Sequence, residues 1–138
     1  MAFKNYAFHA TGKHLLDGNW SSNSACVQLL GNGYTFNATH TTRADISAHV
    51  VGSPINVTGK ASTYTSFVTN LDCDDITVTG SPAARWAAFL FWNGTTADNA
   101  DKLISVIDLN TVDQVDVSIT EDLQMSTSGL LQLNFSNA

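Results

Sequence analysis

The sequence predicts an all-β fold, a single antiparallel β-sandwich or barrel-like domain with at most one short helix. Three observations carry that expectation. Charged residues make up 13% of the chain, about half the ~25% usual in soluble domains, and Thr, Ser and Asn supply the polarity instead. Strong helix formers are scarce, with Glu121 the sole glutamate, whereas residues that favour strands and turns abound. Short apolar runs are punctuated by Gly, Pro and Asn at intervals of ~8–12 residues, the spacing of a sandwich or barrel. The 138 residues are 43% hydrophobic, enough for one core and too apolar for a disordered chain.

Met1 to Ala10 carries Phe3, Tyr6 and Phe8 in loose alternation and is either a first strand or a terminal arm. Residues 11–138 then form a single β domain. Thr11 to Gly18 has the one helical pattern, a turn or two between glycines. Ala25 to Leu30 is a buried strand, and Gly31-Asn32-Gly33 ends it with residues that accept positive φ. A polar stretch from Thr35 to Arg43 follows. Weak alternation from Ile55 to Leu71 breaks at Gly59-Lys60. Ile76 to Thr79 is a short strand that stops at Gly80-Ser81-Pro82, because proline removes a ladder hydrogen bond.

Ala83 to Trp92 is apolar on both faces, with Trp86, Ala88, Leu90 and Trp92 on one and Ala87, Phe89 and Phe91 on the other. That pattern predicts a central strand with both tryptophans in the core. Leu103 to Leu109 is a second run of the same kind. Gln114 to Thr120 alternates most cleanly, with Val115, Val117 and Ile119 on one side, and predicts a strand with one dry face. Leu131, Leu133 and Phe135 repeat the pattern in the last strand.

Charge and motifs exclude several classes of function. The net charge is −6, and the Lys and Arg are scattered from Lys4 to Lys102 rather than clustered for phosphate, so no nucleic-acid partner is expected. No charged start precedes an apolar run and no run reaches ~18 apolar residues, so neither a signal peptide nor a membrane span is expected. In a cytosolic chain Cys26 and Cys73 are expected as reduced thiols. Asp72-x-Asp74-Asp75 lacks the glycine and late glutamate of a calcium loop and reads as a turn. His9, His14, His40 and His49 have no metal-ligand spacing, and no metal or cofactor is expected. No nucleophile motif or phosphate loop appears, so the chain is expected not to be an enzyme. For Trp20, flanked by Gly18-Asn19 and Ser21, the sequence leaves exposure open, and with it, as an alternative reading, a sugar-stacking role in a carbohydrate-binding module. The N-x-T triplets at Asn37, Asn56 and Asn93 match glycosylation sequons.

One ordered set of motifs adds a resemblance. Leu15-Leu16-Asp17-Gly18 and Trp20 precede the strand at Ala25, which leads to Tyr34-Thr35-Phe36-Asn37-x-x-His40, then Ala44-Asp45-Ile46, Gly59-Lys60 and Leu71-Asp72-x-Asp74-Asp75-Ile76-Thr77. The order over residues 11–135 resembles small tailed-bacteriophage virion proteins encoded among head genes, some of them capsid decoration or cement proteins. The chain departs from that pattern at Ala44, at Asn93-Gly94-Thr95 and at Leu109-Asn110-Thr111. The resemblance implies a non-enzymatic decoration protein on the capsid surface, made in the host cytoplasm, with the major capsid protein and neighbouring copies of itself as partners. A tail or head–tail connector component is the alternative location. Phe3, Tyr6 and Phe8 are then the candidate contact arm, whose deletion is expected to weaken particle binding and leave the domain folded.

Overall fold

The computed structural model describes residues 4–65, 68–125 and 131–134. Five strands, β1 (Lys4–Ala7), β2 (Ala25–Leu30), β3 (Val50–Asn56), β7 (Trp86–Phe91) and β8 (Leu103–Asp108), form the main sheet. Its order is β1-β8-β7-β2-β3, antiparallel throughout. A three-stranded sheet comprises β4 (Ala61–Thr65), β5 (Val68–Asp72) and β10 (Leu131–Asn134), and a two-stranded one joins β6 (Ala83–Ala84) to β9 (Val117–Ser118). The α-helix, α1, spans Thr11–Gly18. Among the described residues the main sheet keeps two open edges, so the domain is sandwich-like and not a closed barrel.

The central strands follow directly from the two-sided apolar runs. Side chains alternate across a strand, and on β2 and β7 they divide as the pattern predicts. Val27, Leu29, Ala87 and Phe89 enter a cluster completed by Trp20, Leu71, Ile76 and Leu123. Cys26, Leu30, Trp86, Ala88 and Leu90 enter a second cluster completed by Phe8, Tyr34 and Ile46. The first cluster lies under the small sheets and the segments joining them. The second is covered by the loop of residues 31–49, which carries two 3-10 turns, Arg43–Asp45 and Ser47–His49.

Three elements differ from the sequence pattern. Of the expected strand from Gln114 to Thr120, Val117–Ser118 alone pairs. The preceding segment instead wraps around Asn110: its Nδ2 donates to Val115 O at 3.2 Å, its Oδ1 accepts from Asp113 N, and its carbonyl accepts from Gln114 N. Gln114 takes φ 57°, outside the strand region, and Val115 is turned to solvent. The run from Ala83 to Trp92 is likewise two strands, β6 and β7, separated at Arg85. Ile76 to Thr79 contributes a single bridge, Ile76 to Leu123.

Candidate functional site

The first concave region is built where α1 meets β8. β1 ends at Ala7, opposite Ser105, and a register shift between β7 and β8 bypasses Ile104. The carbonyls of Leu103 and Ile104 therefore find no strand partner on that side, and α1 supplies side chains in its place. Thr11 Oγ1 donates to Ile104 O at 2.6 Å, and His14 Nδ1 lies 2.6 Å from Leu103 O. A carbonyl only accepts, so His14 Nδ1 carries the proton and Nε2 is left as the second ring nitrogen. Buried unsatisfied carbonyls are costly, which explains polar residues on the inner side of this helix.

A cleft of about 360 Å³ opens beside the helix, lined among others by Lys13, His14, Asp17, Phe91, Trp92 and Lys102. Lys13 pairs with Asp17 one turn on, and that hydrogen bond holds the Asp17 carboxyl below its ordinary value. Gly18 has no room for a side chain, since a Cβ there would run into the Phe91 ring. The volume is that of a small-ligand site. Aromatic rings beside the amide of Asn23, the hydroxyl of Ser24 and charges of both signs suit a small polar molecule with one apolar face, such as a sugar ring.

The second region is aromatic. Tyr6, half-buried on β1, lies 4.8 Å from Phe36 and 6.2 Å from Trp86 between ring centroids. Tyr34 packs edge-on against Trp86 at 5.5 Å, and its hydroxyl meets His40 Nδ1 at 3.0 Å. Burial pushes the Tyr34 hydroxyl up to about 12. The Arg85 guanidinium stacks 4.5 Å from the Trp86 ring and forms two bonds to Asp108, at 2.8 and 3.1 Å. Burial pushes the Asp108 carboxyl up, but the Arg85 bonds and the Asn110 N–H together outweigh it and leave the carboxyl below its ordinary value. A groove of about 390 Å³ runs along Tyr6, Asn32, Phe36, Arg85, Trp86 and Gln114.

The candidate arm is placed differently from a free arm. Phe3 lies outside the described residues. Tyr6 belongs to β1, the first strand and an edge of the main sheet, and Phe8 is 4% exposed, packed against Phe36. Deleting Met1 to Phe8 would strip a strand and a core side chain, so that deletion is expected to lower the stability of the domain as well as remove the candidate contact. Trp20 is buried too. It is 3% exposed, and its indole N–H donates to Asp72 O at 3.0 Å, so the ring reaches the groove between α1 and β5 only by an edge and offers no open face for a sugar to stack on. Trp92 is only half-buried and lines the cleft, whereas Trp86 is core as expected.

The remaining motif residues hold loops. Asp72 Oδ1 accepts from Cys73 N, Asp74 Oδ2 from Thr58 Oγ1 and Asp75 Oδ1 from Met125 N, each near 2.9 Å. Gly59 has φ +63°, and a Cβ there would strike the Asp74 carboxylate, so the Gly59 and Asp74 motifs are two halves of one contact. Asn37 and Asn93 accept from the Thr two residues on, the Asx turn that an N-x-T triplet favours. Cys26 and Cys73 are buried free thiols in different clusters, and burial pushes both up to about 12. The bonds of Thr11 and His14 to the β8 carbonyls and the Arg85–Asp108 pair were not legible as functional positions. The one local signal was Arg85, a lone cation inside an apolar run.

Fold and site together define an all-β, sandwich-like domain with two aromatic-lined concave surfaces. Comparison with protein-family models, characterised proteins and solved structures finds no match.

Proposed function

We propose that the chain is a non-enzymatic virion structural protein of a tailed bacteriophage, a decoration protein that binds the major capsid protein beside other copies of itself. The observation that supports this reading is the use to which the shared motifs are put. Tyr34 and His40 bond each other, Asp45 Oδ2 accepts from Thr41 N and Thr42 N, and Asp74 is held by Thr58. Each of these bonds joins two residues outside the strands, so the motifs spend their polar groups on fixing the shape of loops, which is work for a scaffold. Short polar side chains on the exposed strands also suit a multi-subunit surface, because ordering them costs less rotamer entropy than ordering Lys, Arg or Glu.

Particle composition is the test. In virions purified from the encoding phage, the chain is expected in proportion to the major capsid protein and on the outer surface in a cryo-microscopy reconstruction. A stoichiometry of a few copies moves it to the tail or the head–tail connector, and absence from the particle rejects the reading.

The cleft beside α1 favours a second reading, a carbohydrate-binding module that uses Trp92 rather than Trp20. A glycan array then shows binding that Trp92→Ala abolishes in a protein that remains folded. No binding by the wild-type chain removes this reading.

A further inference from the structure

An antiparallel sheet edge presents unpaired N–H and C=O groups, and proteins blunt such edges with charge, proline or bulges. β1 carries Lys4, and β3 carries Pro54 and a register irregularity against β2. β4 has none of these devices. Among the described residues it pairs with β5 alone, in unbroken register from Ala61–Asp72 to Thr65–Val68. Its sequence is Ala-Ser-Thr-Tyr-Thr, without charge, and residues 61–64 are all exposed.

A second observation lies beside this edge. Between α1 and the β4–β5 sheet runs a largely apolar groove of about 520 Å³, lined by Leu15, Leu16, Trp20, Ser62, Thr69 and Leu71. Leu16 on its rim is 88% exposed. Tyr64, 81% exposed, shares the groove's face of the sheet, because it is two residues from Ser62 and directly opposite Thr69.

We infer that β4 is the docking edge for a second copy of this chain, pairing antiparallel about a two-fold axis at Thr63 with each Tyr64 seated at the mouth of the other copy's groove. The register makes the two features complementary. With Thr63 opposite Thr63, each Tyr64 stands opposite Ser62 of the second copy, and that serine lines the second copy's groove. Only the residue on a two-fold axis faces its own copy, and here it is an uncharged threonine that suffers no repulsion, while Thr–Thr and Tyr–Ser are compatible cross-strand pairs. The same docking covers Tyr64 and draws the Leu16 rim into the contact. The dimer rests on β4 and the groove and not on the virion reading.

Sedimentation velocity on the full chain, over a concentration series up to roughly 1 mM, is expected to show a monomer–dimer equilibrium. Thr63→Lys sets two ammonium groups face to face on the axis and weakens dimerisation at least about tenfold, with an unchanged circular dichroism spectrum. Thr63→Cys gives the positive result. Cα atoms directly opposite in an antiparallel pair are ~4.5–5.5 Å apart, within disulfide reach, so mild oxidation yields a covalent dimer. Ser62→Cys, two residues out of register with its own copy, does not cross-link. Cys26 and Cys73, both buried, do not compete. A wild-type chain that stays monomeric throughout overturns the inference and leaves the edge to strand addition by a different protein. A dimer indifferent to Thr63→Lys and not cross-linked through Thr63→Cys also overturns it. Either result leaves particle binding to be judged separately.

Discussion

The two sides of the main sheet are equally dry and are kept dry by different means. Under the small sheets the cluster around Phe89 and Ile104 is mostly aliphatic, and much of its cover is strand, with backbone groups satisfied in ladders. On the other side the cover is a loop closed at its base by Gly31 N donating to His49 O. This loop has one isolated bridge, Thr42 to Lys102, and a few single backbone bonds in place of a ladder, so side chains add the rest. Arg43 Nε donates to Gln28 Oε1 at 3.0 Å, Asp45 accepts from Thr41 and Thr42, and Tyr34 meets His40. Aromatic rings fill what remains. Strand cover therefore depends on apolar area, and loop cover depends on individual polar bonds as well.

Substitutions on the two sides should separate these modes. Phe89→Ala, at a fully buried position on the strand-covered side, is expected to cost about 3–5 kcal/mol in urea denaturation, from lost transfer energy plus a cavity. A cost below about 1 kcal/mol would mean that this layer collapses around the gap.

Arg85→Ala follows at about 3 kcal/mol, because it leaves the buried Asp108 carboxylate unpaired. This loss should depend on pH. Asp108 is held below its ordinary 3.8 in the folded chain, so its contribution is present above that value and is lost as pH falls through the lower, folded one. The wild-type advantage over Arg85→Ala should accordingly shrink in acid. An advantage that does not vary with pH would assign the effect to the guanidinium stacked on Trp86 instead.

Arg43→Ala is expected to cost about 1–3 kcal/mol by leaving Gln28 Oε1 buried without a donor. Adding Gln28→Leu should recover most of it, since removing both partners leaves no orphan. Additive losses in that cycle would break the claim that the loop is pinned through this bond. Tyr34→Phe is the smallest step, about 0.5–1.5 kcal/mol for the bond to His40, read as a shift in the denaturation midpoint.

Part of this architecture was legible because strands buried on both faces carry their packing in the order of their side chains. The sorting of Trp86, Ala88 and Leu90 from Ala87 and Phe89 is the sorting that the two clusters show. Alternation failed as a guide at Gln114 to Thr120. It states which residues would share a face if the segment were extended, and it is silent on whether an edge is available. Here Asn110 gathers the segment into a turn before it reaches β6.

Trp20 shows the same limit for a single residue. Its polar neighbours are compatible with a surface position, yet its N–H partner is the carbonyl of Asp72, brought close by chain reversal alone. His14 and Thr11 are polar residues drawn inward by carbonyls that the bulge at Ile104 leaves unpaired. Both candidate concave surfaces also join segments distant in sequence, so neither left a local pattern.

The sequence by itself determined the all-β class, the two-faced central strands and the turns at which they end, because these follow from side-chain period and backbone freedom within a few residues. The tertiary structure decided which edges pair, which aromatics are covered and which polar groups find partners. Those outcomes depend on contacts between distant parts of the chain, where a hydrogen bond or a neighbouring ring is supplied by a segment that no local pattern contains.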